Sequence, residues 1–301
     1  MKFVDVKNDI AFRKIFGNQK KSEILISLLN AVLELPKGKK IKRIAILNPF
    51  LLPEIKELKS SILDIRATDE REISYIVEMQ VEEPDGFDKR VQYYTAKQYA
   101  SQIEKGDDYP KLNQVIFIGI LNFTFFEDDD AYITRHRTVN VKTQKSSLND
   151  MEYNFIELSK FQKALSECKS LVDKWIYFIK NATNLHVIPA DVKDKGLKHA
   201  YEDADRHNWT KDELDAYLYA EIRRQDEKGK TDLAVRRATE RGKIEGKIEG
   251  KIEGKIEGKI EGKIEMAINC YRKGLSIQDT HELTGLSIEQ IESIFDEQNK
   301  K

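Results

Sequence analysis

The chain has 301 residues, 40% of them hydrophobic and 34% charged, which gives room for one domain of about 200 residues with polar appendages. Its 51 basic and 52 acidic residues leave a formal net charge of −1, which excludes a global attraction to nucleic acid and leaves only a local basic patch or a bridging metal ion for that purpose. No stretch reaches the roughly 18 apolar residues of a membrane span, Met1 to Asp5 lacks the apolar run of a signal peptide, and Cys168 and Cys270 are too few for a disulfide framework or a zinc site, so a reducing cytoplasm is the expected setting.

From the N-terminus, Asp9 opens a helix over 8–17 that ends on Gly17, with Phe12, Ile15 and Phe16 as its buried stripe. A second helix is expected over 22–34, with Glu23 in its first turn, and then a strand near 41–47. The next two segments read as a hairpin. Ser61–Arg66 sets Leu63 and Ile65 on one side and Asp64 on the other; Thr68–Arg71 is a polar turn. Glu72–Val81 then alternates, with Ile73, Tyr75, Val77, Met79 and Val81 facing one way and Glu72, Ser74, Glu78 and Gln80 the other. Asp64, Glu78 and Gln80 thereby share a face. Two ionised carboxylates held side by side repel unless a cation lies between them, and hard oxygen ligands suit Mg²⁺. The structural alternative is a pair of acidic side chains on the solvent face of an antiparallel hairpin.

A helix over 87–105 follows, carrying Arg90, Tyr93, Tyr94 and Lys97 at i, i+3, i+4 and i+7. That stripe suits phosphate and a splayed base, or else packing by the tyrosines with Arg90 paired to a carboxylate such as Asp88. Val115–Phe123 is nearly continuous apolar sequence, as in a strand buried on both faces. Further strands are expected over 131–142 and 151–158, and helices over 160–182 and 211–239. The five histidines show no ligand-like spacing, and His199 and His207, eight apart, read as solvated.

Gly-Lys-Ile-Glu then occurs six times from Gly242 to Glu265. On a helix, each residue type forms a stripe that drifts by about 40° per repeat. No Lys stands three or four positions from a Glu, so neighbouring charges are alike, and six glycines each cost up to about 1 kcal/mol. An isolated helix is therefore disfavoured. Between two parallel copies, however, the Lys flank of one Ile stripe faces the Glu flank of the other, whereas antiparallel copies set like charges together. A period of four gives a right-handed drift that loses contact after a few turns. A linker without a partner is the other reading. Residues 266–301 suggest a helical hairpin, with Ser276–Asp279 and Ser287–Gln290 as capping-box starts around Gly285 and with Leu275, Ile277, Leu283, Leu286, Ile288, Ile291 and Ile294 as its core. Its second helix carries Glu289, Glu292, Asp296 and Glu297, which favours oligomerisation or docking over reading DNA.

Taken together, Asn8–Gly17, Leu25–Leu33, Leu63–Ile65, Val77–Gln80, Arg90–Tyr94, Gly106–Leu112, Val115–Leu121 and Phe155–Phe161 resemble, in order, the Rpn family of recombination-promoting nucleases and transposases within the PD-(D/E)XK nuclease superfamily. The resemblance implies an α/β fold with a mixed central sheet flanked by helices, in a domain spanning 1–239, followed by the repeat segment over 240–265 and the hairpin over 266–301. It implies a DNA endonuclease linked to recombination or mobile elements. Asp64, Glu78 and the backbone carbonyl of Met79 would hold Mg²⁺ or Mn²⁺. Asp9 would complete the shell, or else serve only as a carboxylate facing the helix dipole; Glu23 is the weaker rival. Gln80 stands where the superfamily usually has Lys; it can orient water but cannot act as a base near neutral pH. Arg90, Lys97, Lys14 and Tyr94 are the candidate DNA contacts. A catalytically inactive, self-assembling DNA- or protein-binding module and a toxin-like nuclease in phage defence are the alternatives, and a homo-oligomer is expected.

Overall fold

Alternating and wholly apolar segments become strands where the sequence expects them. The computed structural model describes residues 1–47, 50–51, 61–62 and 64–299. Its strands are β1 (Ile44–Leu47), β2 (Phe50–Leu51), β3 (Ser61–Ile62), β4 (Ile65–Asp69), β5 (Ser74–Gln80), β6 (Val115–Leu121), β7 (Ile133–Arg137) and β8 (Met151–Glu157). Six of them form one mixed sheet in the order β1-β4-β5-β6-β8-β7, and β2 pairs with β3 separately. β5, β6 and β8 run parallel; β1, β4 and β7 pair antiparallel with their neighbours.

The described residues divide into two compact units, Met1–Arg223 and Arg224–Lys301. In the first, the sheet is covered on both faces. Tyr75, Val77 and Met79 of β5 join Ile116, Ile118 and Ile120 of β6 in a core shared with α1 (Asp9–Phe16), α2 (Glu23–Val32), α4 (Leu171–Asn181) and α5 (Lys195–Ala204). Ile76, Phe117, Leu121 and Phe155 pack on the other side against Phe87 and Val91 of α3 (Phe87–Ala100). β5 is thus a central strand, and its even-numbered face, which carries Glu78 and Gln80, lies under a helix rather than in solvent. The N-terminus is strapped to the end of α5 by Val4 N–H donating to the Ala204 carbonyl (2.9 Å) and Arg206 N–H to that of Lys2 (3.0 Å).

Several boundaries differ from expectation for identifiable reasons. The hairpin strand begins at Ile65, so Asp64 precedes it, and Leu63 lies outside the described residues. β4 runs on to Asp69, because buried Asp69 makes the turn itself: its Oδ1 accepts the N–H groups of Arg71 (2.8 Å) and Ile73 (3.1 Å), and Glu72 takes a left-handed φ of 63°. α3 stops at Ala100, after which Gln102 exchanges two hydrogen bonds with the backbone of Asn113 at the approach to β6. The strand expected over 131–142 is confined to Ile133–Arg137, the length that β8 pairs. The helix expected over 160–182 is confined to Leu171–Asn181. α5, a helix outside those expected from the sequence, packs so closely on α2 that a Cβ on Gly196 would lie 2.4 Å from the Glu23 carbonyl oxygen.

α6 spans Lys211–Arg272 and includes the whole repeat. Helix continues through a segment that would not nucleate one, because propagation from flanking turns adds a hydrogen bond per residue without a new nucleus. The six repeat isoleucines are 36–61% exposed. In the second unit, α7 (Ile277–Thr284) and α8 (Ile288–Asn299) form the hairpin. Ser276 caps α7 through the Asp279 N–H (3.1 Å). Ser287 and Gln290 make a reciprocal box (3.0 and 3.2 Å), and Gly285 turns between the helices at φ 63°. Ala267, Leu286 and Ile291 form the core, with Ile277, Ile294 and Phe295 against it. Leu283 and Ile288, expected there, are exposed, and Thr280 and Thr284 are buried instead, each hydroxyl bonded four residues back.

Candidate active site

β5 presents Glu78 directly, whereas Asp64 arrives by substituting for a strand. The antiparallel register pairs Ile65 with Val77. One rung further along, the Met79 N–H donates to Asp64 Oδ2 (2.9 Å), so a side-chain carboxylate takes the place of a backbone carbonyl. The N–H and C=O of one strand residue point towards the same neighbour, so the Met79 carbonyl faces the Asp64 edge. Asp64 Oδ1 accepts from Arg13 of α1, through Nη2 (3.0 Å) and Nε (3.3 Å).

Glu78 is the more deeply buried of the two, its side chain 3% exposed against 9% for Asp64. Glu78 Oε2 accepts from Gln80 Nε2 (3.0 Å) and Arg90 Nη2 (3.1 Å). Among the described residues, its other oxygen, Oε1, is buried with no hydrogen-bond partner. A buried acceptor left in that state costs roughly 1–3 kcal/mol. Burial pushes the Glu78 carboxyl up to about 7, and the Asp64 charge adds to the effect against Arg90 and Gln80. Asp64 is also raised, first by burial and further by the charge of Asp9, against the Met79 N–H and Arg13. Two carboxylates that both resist ionisation, one with an orphaned buried oxygen, fit a hard divalent cation.

The neighbouring strand sets a glycine beside Glu78. Gly119 of β6 stands opposite Glu78 in the parallel register. A Cβ there would meet the Phe155 ring at 3.0 Å and the Phe117 ring at 3.1 Å.

The remaining sequence candidates lie at different distances from this chemistry. Asp9 is exposed in the first turn of α1, whose cap is supplied by Asn8; it is close enough for its charge to act on Asp64. Among the described residues, no three His, Cys, Asp or Glu side chains gather as a metal-binding set, so Asp64 and Glu78 stand as a pair. Arg90 pairs with Glu78 rather than Asp88, and its guanidinium lies over Phe87 (5.7 Å) and Tyr94 (5.5 Å). Lys97 lies over Tyr93 (5.8 Å). Lys14 is ion-paired with Glu213 and lies over Trp209 (5.1 Å). Glu23 is engaged with His199 of α5 (2.7 Å).

Two residues at the site escaped the sequence reading. Arg13 was legible as the i+4 neighbour of Asp9, on the same helix face. Gly119 was legible as a lone glycine inside a strand, which marks close approach.

One protein family, described as PD-(D/E)XK nuclease family transposase, matches residues 6–234, more than half of the chain. No curated protein and no solved structure matches it.

Proposed function

Because the chain belongs to the PD-(D/E)XK nuclease family of transposases, we propose that it is a divalent-metal-dependent DNA endonuclease that hydrolyses phosphodiester bonds in recombining or mobile DNA. The observation that carries the reading is the orphaned Oε1 of buried Glu78 beside the second carboxylate, Asp64. Asp64, Glu78 and the Met79 carbonyl would hold Mg²⁺ or Mn²⁺, with Asp9 as the outlying candidate. When bound, such a cation polarises the scissile phosphate and lowers the pKa of a water molecule. Gln80, fixed on Glu78, offers its amide to orient that water and takes no proton from it. Arg90, held against Phe87 and Tyr94, keeps Glu78 oriented and adds positive charge at the edge where phosphate would approach. Lys97 is the next phosphate contact along α3; Lys14 would serve only once its pair with Glu213 opens.

We assign the nuclease to residues 1–239 and self-association to the repeat (240–265) and the hairpin (266–301). The exposed isoleucine stripe, flanked by Lys on one side and Glu on the other, favours a parallel pair of chains.

The direct test is nicking of supercoiled plasmid by the purified protein in Mg²⁺ or EDTA, beside an Asp64→Ala variant. Nicking that needs metal and vanishes in the variant supports the proposal. Equal nicking by the variant refutes the site, and no nicking by folded wild-type protein turns the reading to a binding module.

A further inference from the structure

The two acidic residues of the site each carry an arginine, but the arginines are held differently. Arg90 is 32% exposed in its side chain, and its guanidinium is stacked over two rings, Phe87 and Tyr94. Arg13 is 42% exposed and reaches Asp64 alone, through the 3.0 Å and 3.3 Å hydrogen bonds to Oδ1. Among the described residues, neither ring nor second carboxylate fixes it. The other oxygen of Asp64 is tied to the Met79 N–H. When Asp64 and Glu78 are both ionised, as metal binding requires, their charges balance those of Arg13 and Arg90. A divalent cation added to that arrangement leaves an excess of two positive charges in a poorly solvated place, and half-exposed Arg13 is the cation that can leave at least cost.

We propose that Arg13 is the resident counter-ion of Asp64, exchanged for the divalent cation and thereby freed to contact a substrate phosphate. The inference rests on the metal-site reading above. In the metal-free protein Arg13 neutralises Asp64 and holds its side chain where the cation needs it. Once displaced, its guanidinium fork offers bidentate donors to a phosphate oxygen pair. DNA affinity is thereby coupled to metal occupancy, since the same arginine serves Asp64 in one state and the substrate in the other.

Calorimetric titration of Mn²⁺ into wild type, Arg13→Gln, Arg13→Lys and Asp64→Ala tests the exchange without any cleavage assay. Removing a competing ion pair of this exposure should let Arg13→Gln bind Mn²⁺ about fivefold more tightly than wild type. Arg13→Lys, which keeps the charge and loses the fork, should fall between them. Double-stranded DNA titrated in Ca²⁺ supplies the second readout: Arg13→Gln should lose affinity several-fold there and match wild type in EDTA. Unchanged or weaker Mn²⁺ binding by Arg13→Gln, with wild type binding and Asp64→Ala not, overturns the exchange and leaves the metal site standing. An equal loss of DNA affinity with and without Ca²⁺ also overturns it. If wild type binds no Mn²⁺ and matches Asp64→Ala, the metal-site reading fails and this inference falls with it.

Discussion

Burial and the Asp64 charge favour a proton on Glu78, while Arg90 and Gln80 favour its loss; burial prevails, and the carboxyl rises from the ordinary 4.5 to about 7. Between those values the folded chain holds a proton that the unfolded chain has released. The contribution of Glu78 to the stability of the metal-free protein is therefore fully present below the unfolded value and is lost as pH rises through this window, by up to about 3 kcal/mol. Melting curves in EDTA from pH 4.5 to 8 should show wild type losing stability relative to Glu78→Gln as pH rises. Metal needs the ionised carboxylate, so Mn²⁺ affinity should weaken below about pH 7, approaching tenfold per unit. A titration series across pH checks this, and pH-independent affinity would mean that Glu78 is not a ligand. Gly119 belongs to the same scale. Gly119→Val would press on Phe117 and Phe155, with a destabilisation of about 1–3 kcal/mol in chemical denaturation.

At the scale of elements, the alternation of Ser74–Gln80 and the apolar run of Val115–Leu121 made the two central strands legible, and the sites of α1, α2 and α3 followed from periodicity and capping residues. The position of Asp64 was not legible in the same way. Nothing in Ile62–Ile65 says that the strand starts after Asp64, because the residue's role as a surrogate ladder partner depends on the register with β5. α5 was present in the pattern of Leu197, Ala200, Tyr201 and Ala204 behind its cap Asp194, but a short helix rich in polar residues is easily missed. Its glycine has a sharp consequence. Gly196→Ala places a methyl within 2.4 Å of the Glu23 carbonyl oxygen, so the α2–α5 contact must open. We expect a loss of about 1–3 kcal/mol in denaturant unfolding with Mn²⁺ affinity unchanged, since the residue touches neither carboxylate. The repeat shows the opposite lesson: local propensity argues against a helix, yet α6 passes through it with its isoleucines exposed.

Across the whole chain, the net charge of −1 leaves DNA affinity to local groups and to metal. A chain ending at residue 239 retains the span of the family match, 6–234, and lacks the repeat and hairpin. It should keep metal-dependent nicking and lose self-association in sedimentation, whereas loss of nicking by a folded truncated chain would place part of the catalytic apparatus beyond residue 239. The Ile stripe makes a further demand on the full chain. Replacing every Lys of the repeat by Glu removes the complementary flanks of a parallel pair, and sedimentation should then report dissociation at physiological salt.

The proposed function turns on a cation held by Asp64 and Glu78. Anomalous diffraction from a crystal grown with Mn²⁺ measures that directly. The predicted result is a single strong peak touching the Asp64 carboxylate and the Oε1 of Glu78, which lacks a partner among the described residues, with Arg13 turned away from Asp64. A well-ordered site without such a peak, at a Mn²⁺ concentration that supports DNA cleavage, would contradict it.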